Sequence, residues 1–419
     1  MKKDSKYLLY LIVFLSLIFC INTCSAVTIY TYVNVYNETN DTIINTSYEL
    51  GSGKIFGKIN SSNLVIDFQN NTLTATDDTA RAFVSPEGDY NYTNVTIKNL
   101  ILRNFSSHPI ELSYIDNLNL ENIVSENTTG EYVIDITCSK NLSIKNCEFF
   151  NFSKVGFFEN ISNSKIKNCY FNKGTVCIYM YGHINDSRIE NCVMENCSQG
   201  IMSYKDIGTN YNFIYKNNTF RNNTFRNVKE YSIYIEYYEV LENCTIENNK
   251  FENCTNYGIY MDGGNYTKNF INNNTFKDIY NKDDSYSGIA IFMANEYSKD
   301  SEISNNHINN CSYVGITLSS EYTSNTTVFL NNISNCKEYG LSTEISHVYV
   351  YLNSFENNGH HISPGTTMGC YMNSPTIMEY EYGGETYTGR LGNYYGEELG
   401  ESENGIYVKP YGVNVRPKE

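Results

Sequence analysis

The chain has 419 residues and a formal net charge of −16. Binding a phosphate backbone needs clustered lysine and arginine, so this balance argues against nucleic acid as a partner and describes a well-solvated surface instead. Tryptophan is absent and tyrosine abundant, at 39 residues.

Residues 1–26 have the pattern of an export signal. Lys2, Lys3 and Lys6 form a basic start, Leu8–Ile21 is apolar, and Cys24-Ser25-Ala26 offers small residues at a cleavage site. The apolar run is short of the roughly 20 residues of a stable span. Cys20 follows Phe19, where a lipidation site would want a small residue. No second apolar run follows, so the expected mature protein is secreted or at the cell surface, with no transmembrane anchor of its own. Export gives meaning to the Asn-x-Ser/Thr triplets at Asn37, Asn45, Asn91, Asn127, Asn160, Asn243, Asn265 and Asn325, of which several are expected to carry glycan.

From residue 61 onward one unit recurs, written most clearly as Ile246-Glu247-Asn248-Asn249-Lys250-Phe251-Glu252-Asn253-Cys254. Its first asparagine gives twelve anchors: Asn70, Asn99, Asn122, Asn146, Asn168, Asn191, Asn217, Asn248, Asn273, Asn305, Asn331 and Asn353. Two residues before each stands a strand residue: Phe68, Ile97, Leu120, Ile144, Ile166, Ile189, Tyr215, Ile246, Ile271, Ile303, Phe329 and Tyr351. A later asparagine follows most anchors, as at Asn104, Asn127, Asn151, Asn196, Asn222, Asn253, Asn310 and Asn335. Such a period with variable insertions is the mark of a solenoid.

The units alternate polar and apolar residues over short runs and lack helical i, i+3, i+4 faces, so they read as strands. A second short strand opens on a small residue and an apolar one: Gly156-Phe157, Gly200-Ile201, Ser232-Ile233, Gly258-Ile259, Gly288-Ile289, Gly315-Ile316 and Gly340-Leu341. Rungs of two or three short strands predict an all-β, right-handed parallel β-helix of about twelve rungs. Stacked rungs pair their backbones and line up Ile, Val, Leu and Phe in columns. The repeated asparagine then serves as a structural ladder, because its amide both donates and accepts and tolerates a left-handed turn. Residues 27–60 are expected to cap the β-helix of residues 61–364 at its start, and residues 365–419 at its end.

The region from Ser61-Ser62-Asn63-Leu64-Val65-Ile66-Asp67 through Asn357 resembles the pectin-lyase-like right-handed β-helix superfamily. It resembles most the carbohydrate-binding and nitrous-oxide-reductase-accessory branch, common in archaeal adhesin-like surface proteins. Tyr382-Gly383-Gly384-Glu385-Thr386-Tyr387 and Leu391-Gly392-Asn393-Tyr394-Tyr395 resemble the closing segment of such proteins. The chain has Glu401, Ser402, Glu403 and Asn404 where that segment carries an aspartate cluster, which weakens a calcium role there.

The acid clusters of β-helix hydrolases and the basic centre of the lyases have no counterpart, since only Arg188-Ile189-Glu190 stands where a basic pair belongs. The two longest insertions, in the rungs anchored at Asn217 and Asn273, point to a ligand site. Counting from the second-strand openers places Glu236 and Asp262 on neighbouring rungs, close enough to share a proton, bind calcium or act as a glycosidase pair. Asp283, Asp284 and Glu296 lie in or beside the adjacent insertion. Tyr234, Tyr237, Tyr238 and Tyr260 supply rings that stack on sugars. The competing reading is that these acids simply face solvent.

Eleven cysteines remain after residue 26. Cys147, Cys169 and Cys192 follow anchors, and Cys197, Cys254, Cys311 and Cys336 follow the later asparagine. Parallel stacked thiols point the same way and strain a bridge, so these are expected as small buried hydrophobes. His360-His361 with Cys370 is a weak copper set, because adjacent residues in a strand point apart, and no metal ligand is assigned. The sequence therefore predicts a non-enzymatic, adhesin-like module that binds a glycan or a cell-surface partner. The alternatives are a polysaccharide hydrolase, lyase or epimerase on the second-strand face, and a passive envelope protein.

Overall fold

The computed structural model describes residues 42–86, 88, 91–203, 214–235, 240–281, 286–343, 347–363, 370–396 and 402–407. The export segment lies outside them. Within the rung 240–262 the alternation writes four strands, Val240–Glu242, Thr245–Glu247, Lys250–Thr255 and Tyr257–Asp262, which bury Leu241, Ile246, Phe251 with Cys254, and Ile259 with Met261. They repeat in parallel register one rung on, with Leu241 beside Tyr266, Ile246 beside Ile271, Phe251 beside Phe276 and Ile259 beside Ile291. Continued along the chain, this winds a 37-stranded parallel sheet into a β-helix of about twelve turns, with no helix among the described residues.

Asparagine makes the corners. Asn243, Asn248 and Asn253 hold φ of 52°, 55° and 54°, the left-handed region where asparagine is among the few tolerated residues. Each corner stacks on its neighbours: Asn243 Nδ2 donates to Asn217 Oδ1 at 2.8 Å, and Asn253 to Asn227 at 2.6 Å. The ladder is thus three outer columns of turns. Register also corrects three anchors. Asn191 stacks on Asn222, since Glu190 pairs with Arg221, while Asn217 belongs to the preceding corner beside Asp186. In the last two rungs Leu330 and Leu352 hold the left-handed positions, and Asn331 and Asn353 sit one residue further on, inside. A one-residue slip reverses the face of every side chain. The core residues there are accordingly Val328 and Val350, and Phe329 and Tyr351 stack outside at 5.1 Å.

Two kinds of interior column hold the rungs together. Phe225, Phe251 and Phe276 are fully buried and stacked at 4.9 and 4.4 Å. Beside them runs a buried amide column, Asn223–Asn249–Asn274–Asn306–Asn331–Asn353–Asn393, with Nδ2–Oδ1 distances of 2.9–3.1 Å. Each Nδ2 also reaches a strand carbonyl, as Asn274 does to Ile246 O at 2.9 Å, so both amide hydrogens are satisfied in the dry interior. In earlier rungs the same column holds Cys147, Cys169 and Cys192, whose thiols donate to carbonyls two residues back. Nine of the eleven described cysteines are buried. Burial pushes the Cys244 thiol up to about 12, which keeps it neutral and unreactive.

The second-strand openers carry a small residue for a visible reason. A Cβ on Gly258 would stand 2.6 Å from Ala290 O and 2.7 Å from the Phe276 ring. The register places Ala290-Ile291 at this position, two residues after the expected Gly288-Ile289, and aligns Gly156 with Ile178 rather than with an opener.

Parallel pairing starts at Thr42, so Thr42–Ile43, Tyr48–Leu50 and Ile55–Lys58, expected in a cap, already stack on later strands. At the other end Asn393 extends the amide column and Tyr395 stacks on Phe355 at 5.7 Å. An antiparallel hairpin, Met378–Tyr382 with Glu385–Gly389, stands apart from the parallel sheet.

Candidate functional site

The strands Ile110–Ser113, Gln199–Ser203, Tyr231–Ile235, Tyr257–Asp262 and the start of Ile289–Lys299 share one face with the later halves of three longer strands. Along this face, outward positions fall in line parallel to the helix axis. Pairing runs Glu111 and Asp135, then through the backbone of residue 157 to Tyr179, Met202, Tyr234, Tyr260 and Phe292. A second line runs Tyr132, Lys154, Val176, Gln199, Tyr231, Tyr257.

The downstream half is an aromatic platform. Tyr231 stacks on Tyr257 at 5.4 Å, Tyr234 on Tyr260 at 5.3 Å, and Tyr260 on Phe292 at 4.7 Å. Tyr231–Tyr234 and Tyr257–Tyr260 contacts, at 4.5 and 4.7 Å, tie the two lines together. All five rings are half-buried. The Tyr260 hydroxyl donates to Asp262 Oδ2 at 2.9 Å. Burial and the Asp262 carboxylate push that phenol above its ordinary range, so it stays a neutral donor.

The upstream half is ionic. His108, ahead of strand Ile110–Ser113, stands with Nδ1 3.6 Å from Asp135 and Nε2 3.9 Å from Glu131. Gly130 permits this approach, because a Cβ there would lie 2.3 Å from Ser107 O. Arg81 is taken by Glu111 at 2.6 Å. Lys154 lies 3.8 Å from Glu131 and sits over the rings of Tyr132 and Tyr179, 4.9 and 5.6 Å from their centroids. Asp135 is recessed, its side chain 17% exposed. Its burial, and then the charges of Glu111, Glu159 and Glu131, push its carboxyl up to about 7.

Of the residues expected from sequence, Tyr234, Tyr260 and Asp262 fall together on this platform. Glu236, Tyr237, Tyr238, Asp283 and Asp284 lie outside the described residues, as does the Glu296 side chain. The register ends at Ile235 beside Met261, one residue short of the expected acid pair. Phe292, Tyr231 and Tyr257 were not expected, although Tyr-small-Ile-Tyr occurs twice, at 231–234 and 257–260. The ionic half was missed because no second-strand opener precedes Gly156. Val133-Ile134-Asp135-Ile136 nevertheless carries a signal, an acid between two residues that must face inward.

The family model described as periplasmic copper-binding protein (NosD) matches residues 215–400, and that described as right handed beta helix region matches residues 87–276. No curated protein matches the chain. Among solved structures, PfbA, a surface adhesin of Streptococcus pneumoniae, is similar over 84% of this chain and 92% of its own, at 12% identity and a TM-score of 0.45. A tailspike protein of E. coli bacteriophage HK620, in complex with a hexasaccharide, covers 81% and 74%, at 10% identity and 0.45. The A-module of a mannuronan C-5 epimerase from Azotobacter vinelandii covers 77% and 88%, at 12% identity and 0.42.

The described residues do not fit the metal that the first family description names. They contain no group of three or more His, Cys, Asp or Glu placed to hold an ion. His360 stacks on Tyr339, His361 lies by Phe355 and Tyr395, and Cys370 donates to Thr343, so the weak set does not converge.

Proposed function

We propose, for a chain that is a pectin-lyase-like right-handed parallel β-helix protein, a role as an exported surface module that binds glycan along this face without cleaving it. The observation that carries the reading is the five-ring platform. Rings that brace one another are held in place before a ligand arrives, so little ordering entropy is lost on binding. Their spacing repeats with the rungs, about 4.8 Å apart, and because the rings stack on one another they offer a sugar chain lying along the helix axis a row of ring edges and hydroxyls. Export is supported by the basic, apolar and small-residue sequence of residues 1–26.

A glycan array probed with the purified protein tests binding, and Tyr234→Ala with Tyr260→Ala tests the place. Each substitution is expected to weaken binding at least tenfold while leaving the circular dichroism spectrum unchanged. Retained affinity in both variants would remove the platform from the reading. Appearance of reducing ends, or of unsaturated uronate absorbance, would replace binding by catalysis. A folded protein that binds no glycan would leave the passive envelope role.

A further inference from the structure

We propose, resting on the glycan reading above, that Tyr260 and Asp262 make an acceptor-only edge on the platform, which selects uncharged sugars with free vicinal hydroxyls and rejects uronates. Ring geometry is the first ground. Tyr260 is enclosed between Tyr234 and Phe292, at 5.3 and 4.7 Å with interplanar angles of 26° and 10°. Both of its faces are thereby occupied, and the edge that carries the hydroxyl is what a ligand meets. Recognition at this ring is therefore polar, and the direction of its hydrogen bond fixes the polarity.

That direction is the second ground. A phenol has one hydrogen to donate, and the Tyr260 hydroxyl commits it to Asp262 Oδ2 at 2.9 Å. An ionised carboxylate only accepts. The pair thus presents acceptors alone, Tyr260 Oη beside the remaining lone pairs of Asp262, and neighbouring hydroxyls of one sugar ring supply two donors side by side. Nothing on the protein completes the set. The Tyr260 hydroxyl is the one hydrogen-bond partner of the Asp262 side chain among the described residues, and no described lysine, arginine or histidine pairs with that carboxylate. Register sets Ala294 beside Asp262 on the next rung, and Gly263 and Gly264 follow it with left-handed φ of 69° and 84°. These neighbours bring no polar side chain over the carboxylate, and both Tyr260 and Asp262 are partly exposed. A uronate laid here would set its own carboxylate against Asp262 without a cation between them. A neutral diol meets acceptors with donors.

Calorimetry on the whole protein compares hexasaccharides of glucose, mannose and galactose, each beside its uronate counterpart and its per-O-methylated form. At least one neutral chain is expected to bind, roughly tenfold or more tighter than its uronate, and methylation should abolish that binding by removing the donors. Asp262→Asn places donors where only acceptors stood. The neutral chain should then lose roughly fivefold or more while the uronate gains, which brings the two together. Tyr260→Phe keeps the ring stack, removes one acceptor and should weaken the neutral chain alone. These are ratios within one folded variant, which a merely structural role of Asp262 would leave unchanged. A neutral-to-uronate ratio that stays at the parent value in both variants, or methylated chains that bind as well as free ones, overturns the selection while the glycan reading stands. Tighter binding of the uronates, or an array that retains acidic glycans only, overturns it likewise. Failure of every chain to bind a folded protein, together with an empty glycan array, overturns both.

Discussion

Two carboxylates show how one fold drives the same chemical group in opposite directions. Glu190 is 2% exposed, yet Lys165 reaches it at 2.5 Å and Arg221 at 2.7 Å from the rungs on either side. Burial opposes its charge, but the hydrogen bonds from Lys165 and Arg221 outweigh that and hold its carboxyl at about 2 against an ordinary 4.5. A depressed carboxyl stabilises the fold above its unfolded value and loses that contribution as pH falls toward about 2. Glu190→Gln is expected to cost about 3 kcal/mol at pH 7 and much less at pH 2, measured from urea midpoints. Asp135 is the reverse case. Its folded carboxyl, up at about 7, binds a proton that the unfolded chain has already released between about pH 4 and 7. Stability therefore declines as pH rises through that window. Asp135→Asn should stabilise the protein by about 2–4 kcal/mol at pH 8 and change it little at pH 4. Unequal effects of this sign at the two acids would be seen in a single pair of pH-dependent melting series.

At the scale of the rung, most of the fold was legible and its phase was not. The 246–254 unit, the asparagine corners and the small second-strand openers could be read directly, because alternation and left-handed turns are local properties. Asn217 was misplaced because each rung has three asparagine corners, and only register tells which one follows an insertion. Asn331 and Asn353 were misplaced because Leu330 and Leu352 hold the corner there, which leaves the buried asparagine as the one to read. The amide column stayed hidden because in Asn248-Asn249, Asn273-Asn274 and Asn305-Asn306 the second asparagine, which turns inside, follows directly on the corner. Half of the platform was visible as Tyr234 and Tyr260, but its closure by Phe292 required register. The buried column yields a graded prediction. Asn274→Ala leaves the backbone N–H of Asn249 and the Ile246 carbonyl without their partner and should cost about 2–4 kcal/mol. Asn274→Cys should cost less, since Cys192 occupies the equivalent place and donates its thiol to a carbonyl. Thermal unfolding of the two variants in reducing buffer checks the order, and a larger loss for cysteine would mean that the column needs amides in these rungs.

For the whole molecule, stacking makes each rung depend chiefly on the two beside it, so a change at one end ought to be felt near that end. The far end offers a direct trial. Asn393 accepts from Asn353 Nδ2 at 2.9 Å and from Asn353 N at 3.1 Å, and its own Nδ2 donates to Val350 O at 2.9 Å. Tyr395 is 6% exposed and covers Phe355. The closing segment thus acts as an added rung that satisfies the last amide and shields the last ring, the two things an open solenoid end lacks. Asn393→Ala combined with Tyr395→Ala should expose both. Hydrogen exchange followed by mass spectrometry is expected to show lost protection in strands Val348–Tyr351 and Ser354–Glu356, fading over the next rungs, with Ser143–Lys145 and Lys165–Lys167 unchanged. Uniform loss from end to end would instead mean that the twelve turns unfold as one cooperative body. In the graded case, the proposed binding face has its own stability reserve. The near edge of its ring platform, Phe292, lies three rungs from the rung that the closing segment covers, and Tyr234 lies two rungs further, so glycan affinity in the double variant should equal that of the parent at temperatures where only the last rung has frayed.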